Sequence, residues 1–86
     1  MHLSTARIGP LAGSVGIGPD QLVQLLWRNS ASSQGIEHIR VRAGPTRLDI
    51  AIFTSAVTQS TADEMARNLI RSTLTTEPEL RLWRLL

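Results

Sequence analysis

Two short runs hold most of the side chains able to do chemistry. Residues 36–42 read IEHIRVR and residues 47–53 read RLDIAIF. His38 is the one imidazole outside the N-terminal residues, and imidazole is the usual general acid or base near neutral pH. Asp49 offers a carboxylate that could orient it. Arg40, Arg42 and Arg47 carry guanidinium groups whose planar forks suit carboxylates and phosphates. No Ser or Cys nucleophile stands at a spacing that completes a nucleophile–base–orienter set with His38.

Other motifs offer less. GSVGIGPDQL, ahead of a helix-like run, has glycines where a phosphate loop would have them. It lacks the Walker spacing and its Lys. Pro19 removes a backbone donor, and Asp20 puts negative charge where a phosphate would sit. The stretch reads as a flexible connection. His2 and His38 have no second ligand at metal-binding spacing, and Glu77 and Glu79 flank Pro78 as solvated loop acids, so no metal or other cofactor is expected.

The elements that must position these groups follow from periodicity. Residues 2–8 can form a short strand closed by Gly9-Pro10. A first helix starts at Pro19 or Asp20, with Leu22, Val23, Leu25 and Leu26 at helical spacing and Trp27 completing the core stripe. It fades through Ser32 and Ser33 towards Gly35. The two chemistry-bearing runs are β-branched and joined by Ala43-Gly44-Pro45-Thr46, which predicts an antiparallel hairpin. A four-residue loop would pair Val41 with Leu48, Arg40 with Asp49 and Ile39 with Ile50. A second helix spans 61–74, opened by a Thr61/Glu64 capping box and stopped before Pro78. Arg28, Arg67 and Arg71 fall on solvated helix faces. Residues 80–86, LRLWRLL, form a last strand. The order (β)αββαβ is that of a ferredoxin-like α+β two-layer sandwich, with two helices on one face of an antiparallel sheet.

That arrangement leaves the second sheet face without a cover. Alternation puts His38, Arg40 and Arg42 on it, with Asp49 and Phe53 from the partner strand. If Leu80 and Leu82 point at the helices, Arg81, Trp83 and Leu85 join them. This set of eight, with Arg40 and Asp49 as a cross-strand ion pair, is the candidate contact surface.

Composition narrows what the surface serves. The chain has 86 residues, which fits one domain with a thin core. It has no Cys, so disulfides and thiolate chemistry are excluded. No apolar run is long enough to span a bilayer and no secretory signal is evident, so a cytoplasmic location is expected. All nine basic residues are Arg, and Tyr is absent as well. The pI of about 11.1 therefore reflects missing titratable groups more than charge, because the net charge is only +2. Arg without Lys fits a GC-rich bacterial genome.

The expectation is a small non-enzymatic interaction module. It works as a homo-oligomer or a subunit of a larger assembly, or docks an acidic partner through Arg–carboxylate contacts. The first alternative is RNA on the same sheet face. The chain lacks the aromatic signature of RNA-recognition strands, and its aromatic content is 3%. The second is a small-molecule enzyme of the dimeric α+β barrel type, with His38 as its acid or base.

Overall fold

A computed structural model describes residues 1–30 and 35–86. The first strand, β1 (His2–Pro10), leads into helix α1 (Pro19–Asn29) and then strands β2 (Ile36–Ala43) and β3 (Leu48–Thr54). Helix α2 (Gln59–Thr76), a 3-10 turn (Pro78–Leu80) and strand β4 (Trp83–Leu85) complete the chain. The strands form one antiparallel sheet in the order β2-β3-β1-β4. With the element order βαββαβ, this is the ferredoxin-like α+β sandwich.

Residues 2–8 are a strand, and the strand runs on through Gly9 and Pro10. Proline fits there because β3 ends opposite Ile8, whose partner is Leu48, so no ladder bond to β3 is lost at Pro10. Gly9 fits because a Cβ on it would come within 3.1 Å of the Leu86 side chain, which folds over it.

The core lies between the sheet and the two helices. Ile8 from β1, Ile39 from β2, and Leu48, Ile50 and Ile52 from β3 meet Leu22, Leu25 and Leu26 of α1 and Ala66, Leu69 and Ile70 of α2. The strand residues recur at period 2 and the helix residues at i, i+3, i+4, so each element turns one apolar side inward. Trp27 is not part of this stripe. It follows Leu26 by one residue, turns away from the core and is 39% exposed.

The β2–β3 hairpin forms, in a different register from the one expected. Val41 pairs with Ile50, Ile39 with Ile52 and Arg40 with Ala51. The shift is two residues, which keeps every side chain on its expected face and changes its neighbour. The loop still has four residues, but it is Gly44–Arg47, between the paired Ala43 and Leu48, one residue later than expected, and the Gly44 N–H donates to the Arg47 carbonyl at 2.8 Å across it. A bulge between Ile36 and His38 absorbs one extra residue at the start of β2.

Helix α2 begins earlier than the capping box implied. Thr58 is the N-cap, and its hydroxyl accepts from the Thr61 N–H at 3.1 Å. At the other end Glu77 is buried rather than solvated. Its N–H closes α2 on the Thr73 carbonyl, and its carboxylate accepts from Arg28 and from Asn29 (2.7 Å) at the end of α1. One side chain thus ties the C-terminal ends of both helices together. Those donors hold the Glu77 carboxyl below the usual carboxylate range, Arg28 most strongly. The serine-rich continuation expected for the first helix, Ser32 and Ser33, falls outside the described residues. Gly35 does not end that helix; it enters β2 at φ +95, and its carbonyl accepts from Ser55.

Candidate functional site on the uncovered sheet face

The three longer strands place their outward side chains in rows. His38 of β2, Phe53 of β3 and Leu3 of β1 make the first row; Arg40, Ala51 and Thr5 the second; Arg42, Asp49 and Arg7 the third. Each row follows from the strand registers, and successive rows lie about 6.6–6.8 Å apart, two residues along a strand. The first row is apolar and aromatic. The His38 and Phe53 rings stand 5.7 Å apart, centroid to centroid, with their planes at 46°.

The third row is charged. Asp49 Oδ1 lies 3.2 Å from Arg47 Nε and 3.5 Å from Arg7 Nε. The expected Arg40–Asp49 pair is absent because the register sets Arg40 against Ala51. Among the described residues, Arg40 and Arg42 pair with no carboxylate. Between the charged and apolar rows the small side chains of Ala51 and Thr5 leave a trough. It forms the floor of a surface concavity of about 890 Å³, bounded by Phe53, Arg40 and Asp49 and closed on the β4 side by Leu86.

Of the residues expected here, His38, Arg40, Arg42, Asp49 and Phe53 share this face. Arg81, Trp83 and Leu85 do not. Arg81 is exposed in the turn that follows the 3-10 segment. Trp83 and Leu85 pair with Pro10 and Ile8 and pack against the core on the helix side, where the Trp83 Nε1–H donates to the Val15 carbonyl at 3.0 Å. The cause is the 3-10 turn. Leu80 is buried, and a helical turn of three residues brings Trp83 to the same side, whereas an unbroken strand would have put it opposite. In their place the outward positions hold Arg84, opposite Gly9, and Leu86. The sequence reasoning missed Leu3, Thr5 and Arg7, whose alternation within residues 2–8 carries the signal.

A second cluster sits where β1 meets the start of α2. Ser4 Oγ donates to Asp63 Oδ1 at 2.7 Å, and Gln59 Nε2 donates to the same carboxylate at 2.8 Å and to the Leu3 carbonyl at 2.9 Å. These bonds, Ser4 first, hold the Asp63 carboxyl below its ordinary range. Ser, His and Asp are all present, but their wiring is not that of a nucleophile and base. The Ser4 proton is committed to Asp63, while His2 meets Gln59 and the Val57 carbonyl instead of Ser4. The cluster fastens β1 to α2. His38 makes no hydrogen bond to a carboxylate among the described residues. No group of three or more His, Asp or Glu side chains there could hold a metal ion. No helix among them is long and apolar enough to cross a membrane.

Compared with protein-family models, with curated proteins and with solved structures, the chain matches none.

Proposed function

We propose that this protein is a non-enzymatic interaction module whose uncovered sheet face docks an acidic protein surface. The observation that carries this reading is the charge of the face. Arg7, Arg40, Arg42, Arg47 and Arg84 stand around a floor of small and apolar side chains, and Asp49 is the one carboxylate in the three rows. Among the described residues Arg40 and Arg42 have no carboxylate partner, and guanidinium–carboxylate forks are among the stronger polar contacts at interfaces. A carboxylate-rich surface would supply both partners at once.

A second copy of the chain is the other reading, and exposed Leu3 (46%) and Leu86 (59%) favour it. Electrostatics weigh against it. Stacking two such faces brings both sets of guanidinium groups together with one carboxylate from each side. Like charges at 4 Å repel by about 1 kcal/mol per pair in water and several-fold more when partly desolvated.

The test is fluorescence anisotropy with a labelled oligo-glutamate, over a salt series, alongside light scattering of the free protein. Expected are a monomer, saturable binding that weakens with salt, and a loss of affinity of about tenfold or more in Arg40→Gln/Arg42→Gln. A salt-resistant dimer that Leu3→Glu dissociates would replace this reading with self-association. Absence of oligo-glutamate binding at low salt would overturn it.

A further inference from the structure

We infer that the partner's acidic segment carries an exposed apolar side chain, which seats on Ala51 between the Phe53 row and the Arg40/Arg42 pair. This deepens the docking reading above and rests on it.

Three observations lead here. Ala51 stands at the centre of the three rows, on a strand with neighbours on both sides. Alanine is a poor choice for that position on folding grounds, since β-branched and aromatic residues fit a pleated, half-buried surface better. Its small size, with that of Thr5, makes the trough. Secondly, the trough walls differ in kind. Phe53 and Leu86 are apolar, whereas Arg40 at the side carries a guanidinium with no carboxylate partner among the described residues, and Arg42 another one row on. An apolar side chain lying on Ala51 would touch Phe53 and leave neighbouring carboxylates within reach of both Arg residues. Thirdly, the trough suits an aliphatic or aromatic side chain better than stacked bases. β1 offers Leu3, Thr5 and Arg7 outward and no aromatic platform on which bases could stack.

The experiment uses two labelled peptides of equal length and charge, all Glu except for a central Phe in one and a central Gly in the other. A uridine oligonucleotide of the same length is run beside them. The full chain should bind the Phe peptide about tenfold more tightly than the Gly peptide, the gain expected from burying part of one aromatic side chain. Ala51→Leu fills the trough from the solvent side. It should remove that gain, so that the variant binds the two peptides with the same affinity, with circular dichroism and thermal melting establishing that the variant is folded. Thr5→Leu is the second variant, filling the trough from β1, and should act the same way. Equal affinity of the unmodified protein for the two peptides would overturn the inference and leave acidic docking standing, as would a Phe gain that survives both substitutions. Binding of neither peptide would overturn both. Tighter binding of the oligonucleotide than of either peptide would assign the face to nucleic acid and overturn the inference.

Discussion

Arg42 stands directly opposite Asp49 across β2 and β3, yet the Asp49 carboxylate turns along and across the sheet to Arg47 and Arg7. The nearest pairing by strand register is therefore not the ion pair that forms. Arg42 is left with its guanidinium available to solvent or to a bound carboxylate, and so is Arg40 beside Ala51.

Asp49→Asn should separate stability from binding at this face. Both of its ion pairs are solvent-exposed, so the loss of folding stability should stay below about 1 kcal/mol. Oligo-glutamate binding should tighten, because Arg7 and Arg47 are released and a repelling carboxylate is gone. Urea denaturation and anisotropy on the same preparation check the two parts. Weaker peptide binding in the variant would count against the cationic face as the docking surface.

Acid should destabilise the fold through two carboxylates far from that face. Asp63, hydrogen-bonded by Ser4 and Gln59, and Glu77, bonded by Arg28 and Asn29, are both held below their ordinary range in the folded state. Groups of this kind contribute stability above their unfolded pKa, about 4 for a carboxylate, and lose it as pH falls through the lower folded values. The urea midpoint should therefore be flat from neutrality to about pH 5 and fall below it. Glu77→Gln should flatten part of that slope and lower the midpoint at pH 7, since Arg28 then faces a neutral amide. An unchanged slope would show that Glu77 is not among the groups responsible.

Trp83 reports on the loop that precedes α1. Trp83→Phe keeps most of the apolar contact and loses the hydrogen bond to the Val15 carbonyl, a cost of about 1 kcal/mol. Residues 11–18 should become more sensitive to protease. Trp83→Glu sets a charge against the core, so its expected outcome is unfolding.

Glycines divide sharply by conformation. Gly35 has φ +95, and a Cβ there would meet Met65 Cε and Ser55 Oγ at 3.0 Å. Gly35→Ala should cost about 1–2 kcal/mol from the backbone alone. Gly16 has open space around it and no positive φ. Gly16→Ala should be neutral or stabilise by up to about 1 kcal/mol. Thermal melts of the two variants test the contrast.

Much of the fold was legible in the sequence because it rests on short periodic runs. The hairpin strands alternate cleanly, so their faces were assigned even though the register was two residues off, a shift to which period 2 is blind. LRLWRLL is apolar at both parities and gives no phase. Pro78 then starts a helical turn, and the turn sets the phase that placed Trp83 and Leu85 inside. Glu77 carried no local signal, since its partners Arg28 and Asn29 lie at the far end of another helix. The candidate site was half visible for the same reasons. Its β2 and β3 side chains follow from alternation, while Leu3, Thr5, Arg7 and Leu86 matter only once β1 is known to lie between β3 and β4.

The central place of β1 also shapes how the chain comes together in time. Only β2 and β3 pair with a neighbour in sequence; Ile8 must find Leu48 on one side and Leu85 on the other. Such distant closures are entropically costly and slow compared with hairpin formation. During synthesis β1 leaves the ribosome ahead of every strand it will touch. Its apolar side chains stay without a sheet until β3 has emerged and its second edge without β4 until later still, whereas the β2–β3 hairpin can close as soon as its own two strands are present.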